Sequence, residues 1–359
     1  MTVPASQPGL AAVAVLGMGA SSPIGYGARP IQAAMAGRLR NFQAADMSGW
    51  NGEPLRISRL PEVPEAVPRA VRIAALVEQA AADLCANLKT LALPRGVPVF
   101  MGFAHDSPDS ELDTVGSALA QGSQGLLDPQ AATLFTGYRG GRIAFLSALG
   151  KAMRWFHEHG GELALIVAAD TRCTREAMLP MFRERRLLTN EDDGTIPGEA
   201  AVVALVTPAN SRAAAQHARF MVGRPAFGAD DFAALRQAPQ AANGLGRALR
   251  TLREDVVAGA SRPATVVAFE TGELFFTRAF VTGYLRNAEL MPEPLQHELI
   301  AANLGDTGAA AAGMAVLRAD WLLCHLSGAA DPRVLIYGHA DNGRCAATVT
   351  IGRAGADAR

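Results

Sequence analysis

The chain carries no long apolar run, no excess of either charge and no paired-cysteine motif, and each absence removes a class of function. No stretch approaches the ~18 apolar residues that a membrane span needs. The apolar segment from Leu10 to Ala20 has no Lys or Arg before it. Gly17 and Gly19 interrupt it, and Pro23 and Gly25 follow, so it does not read as a secretory leader. Lys and Arg total 33 against 34 Asp and Glu, a formal net charge of -1. That balance offers no basic field to nucleic acid or anionic lipid, and there is no acidic tail. The four cysteines are Cys85, Cys173, Cys324 and Cys345, and only Cys324 has a close histidine, His325. Adjacent side chains rarely hold one metal together, so no metal, no cofactor and no disulfide are expected. Reduced, buried thiols in a cytoplasmic protein are the expected state.

What is present is abundant Ala and Gly, with aromatics at only 6%. Small residues let backbones approach closely, which suits layered sheets and helices. Short apolar runs alternate with helical patterns. Strands are predicted at Ala12–Leu16, Val97–Gly102, Leu163–Ala168, Ala200–Val206, Thr265–Ala268, Val334–Tyr337 and Ala347–Ile351. Helices are predicted at Val71–Leu88, Ile143–His157, Phe276–Asn287 and Ala309–Leu326. Runs that are apolar throughout indicate strands buried on both faces, and the alternation predicts parallel sheets covered by helices. Gln237–Gly246 and the proline-rich Arg56–Pro68 read as loops.

Five segments, in order, resemble β-ketoacyl synthases of the thiolase superfamily. They are AVLGMGASSPIG (Ala14–Gly25), GRIAFLSALGKAMRWFHEHGGELALIVAAD (Gly141–Asp170), DDGTIPGEAAVVALV (Asp192–Val206), VVAFETGELFF (Val266–Phe276) and ANLGDTGAAAAGMAVLRA (Ala302–Ala319). The third is the most specific: Asp193, Gly194, Gly198, Glu199 and Ala201 match, while Ala200 replaces a glycine. The resemblance implies an α/β thiolase fold, with two similar βαβαβαβ halves in an α-β-α-β-α sandwich. Residues 1–210 and 211–359 would be the halves of one compact unit. It also implies a possible homodimer.

Condensation of thioesters needs a thiolate at a helix N-terminus, with two imidazoles facing it. The resemblance puts the nucleophile near Arg142, within TGYRGGRI, which holds no Cys or Ser. Thr136 and Tyr138 lie there, but no base stands beside either. The family's two histidines fall on Phe269 and Asp306, and its usual lysine on Ala301 and Ala302. These are degenerate active-site positions, and no catalytic residue is expected. Glu270, Thr307, His339, Asp341 and Asn342 are expected to line a vestigial pocket. Arg142, Glu270, Asp306 and Asp341 converge there either as a polar ligand site or as a salt-bridged filling. Arg183–Arg186 (RERR) is expected to be a solvated basic loop, with a docking patch as the other reading.

The expected role is therefore that of a non-catalytic protein-binding accessory. The chain's shortness, its opening and its lost site resemble small thiolase-like proteins of bacterial type VI secretion, which implies an adaptor or chaperone for a secreted effector. The alternatives are a chain-length-factor-like partner of an active ketosynthase, and an acyl-thioester enzyme with altered chemistry.

Overall fold

The computed structural model describes residues 12–64, 66–88, 96–124, 134–238, 243–326 and 331–352. Ten principal strands fall into two sets of five. The first set is β1 (Ala12–Ser22), β2 (Val99–Phe103), β3 (Phe135–Arg139), β4 (Ala164–Thr171) and β5 (Glu199–Pro208). The second is β6 (Phe220–Gly223), β7 (Thr265–Ala268), β8 (His297–Leu299), β9 (Arg333–His339) and β10 (Arg344–Gly352). In space the first set runs β3-β2-β4-β5-β1 and the second β8-β7-β9-β10-β6. Counted within each set this is one order, third-second-fourth-fifth-first, so the architecture is duplicated. β1 pairs antiparallel with β6 and joins the sets.

The sheet is mixed and not parallel throughout. Within each set the second strand lies parallel to its neighbours, while the fifth runs antiparallel to the fourth and the first. In both sets the fifth strand returns beside the fourth, directly through residues 340–343 in the second set and by way of a segment that carries the short helix Arg175–Arg183 in the first, and the predicted all-parallel arrangement fails there.

Six principal helices form the other layers: α1 (Arg69–Asn87), α2 (Ser110–Gly122), α3 (Ala144–His159), α4 (Gly244–Val257), α5 (Leu274–Arg286) and α6 (Ala311–His325). Period-2 alternation decides what each strand offers to which helix. Leu165 and Val167 of β4 face α1 and α2, whereas Ile166 and Ala168 face inward. Likewise Leu335 and Tyr337 of β9 face α4 and α5, whereas Val334 and Ile336 face inward. Both inner faces close on α3 and α6, which share one apolar cluster with them. The layers are thus helices, sheet, helices, sheet, helices. Helix α6 is buried almost all round, from Ala311 to Asp320, as an inner layer requires. No helix among the described residues is long and apolar enough to cross a membrane.

Candidate functional site

Both inner helices start at the same place in the molecule, where the carboxyl ends of several strands meet. A 3-10 turn, Gly141–Ile143, leads into α3, and another, Gly308–Ala310, leads into α6. Gly308 has φ of 51°, and a Cβ there would lie 1.9 Å from Asp170 Oδ2, so only glycine fits. The space it leaves lets Asp170 Oδ2 accept from the Ala309 amide at 2.8 Å.

Arg142, at the head of α3, is 1% exposed. Its Nε donates to the His339 carbonyl at 2.8 Å, Nη1 to Asp306 Oδ2 at 3.0 Å and Nη2 to Asp341 Oδ1 at 2.7 Å. Its guanidinium also lies over the Phe276 ring, 5.2 Å from the centroid. Two further arginines reach Asp341: Arg172 through Oδ2 at 3.1 Å and Arg186 through Oδ1 at 2.7 Å. Arg186 grips Glu273 with two bonds of 2.7 and 2.9 Å, and Thr271 supports the same carboxylate at 2.6 Å. Arg69 links Asp170 and Glu111 at 2.8 and 2.5 Å. Bidentate guanidinium geometry suits such bridging better than an ammonium would.

Burial alone would raise the Asp341 carboxyl, but Arg142, Arg172 and Arg186 outweigh it and hold it far below the ordinary range. Burial likewise opposes ionisation of Asp170, and Arg69 and Arg172 reverse that effect, so its carboxyl also lies low. Groups so firmly anionic cannot serve as proton acceptors near neutral pH, where a general base needs a matched pKa. No thiol and no second imidazole join this network among the described residues. The one histidine that touches it, His339, offers Arg142 only its carbonyl. Its ring turns away, with Nδ1 2.5 Å from Glu270 Oε1.

The expected residues therefore divide. Arg142, Asp306 and Asp341 meet directly. Glu270 and His339 form a neighbouring buried pair. Thr307, the next residue after Asp306, is buried. Asn342 instead accepts from the Arg344 amide at 3.1 Å and orders the loop. Phe269 is 1% exposed and joins the central apolar core, its ring lying against Gly338, where an added Cβ would approach within 2.5 Å.

The solvated reading of Arg183–Arg186 needs correction. Arg185 is exposed and pairs with Asp192, but Arg186 is 4% exposed and completes the network. The chain turns at Arg185, whose φ is 56°, and this sends successive side chains in opposite directions. Arg172, Asp170 and Glu273 also escaped the sequence reading. A carboxylate ending the apolar run LALIVAAD was the signal for Asp170, because a buried charge at a strand end demands a partner.

A separate cleft of about 730 Å³ opens on the far side of Ile143. Arg139, Lys151, Arg154, Arg224 and Arg344 line it with Phe227, and no acidic residue does among the described residues. β3 forms one rim and is the last strand of its sheet, paired only through β2 among the described residues.

No protein-family model and no curated protein matches the sequence. Solved structures do. "The ishigamide ketosynthase/chain length factor" superposes with a TM-score of 0.72 and 16% identity, over 96% of this chain and 100% of that one. The chain has the ketosynthase fold. The type II polyketide ketosynthase of the AntDE:AntF complex, solved with its acyl-carrier protein, gives 0.73 at 13% identity over 96% of this chain and 99% of that one. "PfaC Keto synthase-Chain length factor" gives 0.69 at 14% identity over 99% of this chain, which spans only 44% of that longer one. At such identities the likeness fixes the ketosynthase fold and leaves activity to the residues of the site.

Proposed function

We propose that this chain is a non-catalytic ketosynthase-fold subunit that works by binding another protein, in the manner of a chain length factor paired with an active ketosynthase. One observation carries the reading: Arg142 stands at the head of the inner helix, tied to Asp306 and Asp341. Under the family resemblance, those are the places of the acyl-accepting thiol and of a histidine. An arginine there has no nucleophile to offer, and an aspartate accepts hydrogen bonds without donating them. The carboxylates are consumed by guanidinium groups, which argues against an altered acyl-transfer chemistry at the same spot.

Two similar structures carry "chain length factor" in their names, and a third holds a carrier protein, so the fold supports protein partners elsewhere. The edge of β3 that is unpaired among the described residues, beside a cationic cleft, offers a face for one here, since an unpaired strand edge invites pairing or cover. An adaptor role toward a secretion effector gains no support from any feature described above.

The test is to tag the chain in its native cell, recover it and weigh the intact assembly. A ketosynthase in equal amount is expected, and the isolated chain should make no 3-oxoacyl product from acyl and malonyl thioesters. Product from the chain alone, or its recovery without any synthase, would overturn the reading.

A further inference from the structure

Beside the arginine network lies a second buried cluster with a different chemistry. His339, at the end of β9, and Cys345, at the start of β10, are directly opposed in the antiparallel ladder, so their side chains share a face. Both are fully buried. A short strand, Ala226–Ala229, pairs with β10 on its other side and delivers Asp230 to the same face. The ligand atoms of Asp230, His339 and Cys345 all lie within 4.8 Å of one another. In the sequence the only histidine close to a cysteine was His325; the ladder creates this pairing instead.

Two of these atoms are orphans. Among the described residues His339 Nε2 and Asp230 Oδ2 are buried and have no hydrogen-bond partner; they meet only as an ion pair at 3.7 Å, beyond hydrogen-bonding range. Their surroundings hold them in that pose. Asp230 Oδ1 accepts from the Asn243 and Gly244 amides, both at 2.8 Å, which leaves Oδ2 pointing inward. Glu270 fixes His339 through Nδ1 at 2.5 Å, and Phe276 stacks on the ring. Gly228 clears the thiol, for a Cβ there would come within 2.9 Å of Cys345 Sγ.

We propose that Asp230 Oδ2, His339 Nε2 and Cys345 Sγ form a binding site for zinc, with Glu270 as the carboxylate that orients the imidazole. Carboxylate, imidazole and thiolate together suit a borderline-soft ion in tetrahedral geometry, whose ligand atoms sit about 3.3–3.8 Å apart. A carboxylate on the far nitrogen is the usual support for a zinc-bound histidine. The ion would take the place of the imidazole proton and clasp the 339–345 hairpin to the 229–231 segment. This inference is independent of the proposed partnership.

Cobalt supplies the decisive readout. The full chain, purified without metal and titrated with Co²⁺, should take up about one ion and show a thiolate-to-cobalt charge-transfer band with tetrahedral visible bands. Cys345→Ser should abolish the charge-transfer band, and Asp230→Asn should weaken uptake about 10–100-fold, with circular dichroism confirming that each variant is folded. Cys173→Ser should leave the band intact. Zinc should raise the melting midpoint of the native chain and leave that of Cys345→Ser unmoved. A folded native chain that binds less than about a tenth of an equivalent of either ion would mean a buried ion pair only, and a band that survives Cys345→Ser would mean that another thiolate holds the ion; either would overturn the site.

Discussion

The two inner helices begin alike and carry opposite charge. Each is entered through a 3-10 turn whose first glycine has a positive φ, 57° at Gly141 and 51° at Gly308. At the head of α6, Asp170 accepts the Ala309 amide and Asp306 the Gly308 amide, so anions meet free N–H groups where the helix dipole favours them. At the head of α3 stands Arg142, a cation where the dipole disfavours one. The arginine is tolerated because Asp306, Asp341 and a carbonyl surround it. A shared backbone thus supports an anion site at one head and a cation site at the other, and the second depends on the first.

That dependence can be broken. Asp306→Ala removes an anion from both heads and leaves Arg142 buried against a helix N-terminus. A loss of about 3–5 kcal/mol in denaturant unfolding is expected, and a loss below about 1 kcal/mol would show that the heads are independent. Arg186→Ala should cost about 3 kcal/mol, since it strands Glu273. Arg185→Ala, one residue earlier, should leave the midpoint unchanged.

Acid should sharpen the contrast. Asp170 binds its proton less readily when folded, because Arg69 and Arg172 outweigh its burial. Its contribution is therefore complete above the unfolded carboxyl pKa of about 3.9 and fades as pH falls through the lower folded value. Stability should drop below about pH 4, and less steeply in Asp170→Asn, as urea midpoints across pH will show. A smaller loss than that of Asp306→Ala should come from replacing the charged pair by an apolar one. Arg142→Met with Asp306→Leu should be closer to the native chain than Asp306→Ala, with a coupling of about 1–3 kcal/mol in the double-mutant cycle.

Much of this fold was legible because its strands are apolar throughout. β7 lies where expected, at Thr265–Ala268, and β4, β5 and β9 extend their predicted runs by a few residues. α2 and α4 were not seen. α2 contains Gly116 and Gly122 and caps one sheet face with few large residues, while α4 opens on Gly-Leu-Gly, which read as the end of a loop. Tertiary packing decides both, and local propensity does not. Edge strands β3 and β8 are short or half-exposed and gave no apolar run. In the site, Arg142, Asp306 and Asp341 were legible only through the family resemblance, which implies that their segments meet. Arg172 and Arg186 were not, because neither falls within a segment that resembles the family.

The seam between β1 and β6 has a consequence for how the molecule comes apart. Residues Ala12–Val15 hydrogen-bond to Phe220–Gly223, and the two sheets share a single helical layer. Peeling one half away would strip β1 or β6 of a neighbour and open an apolar surface on the other. Duplicated architecture usually invites piecewise melting, but this stitching favours one concerted transition, with slow amide exchange running without interruption across the boundary between repeats.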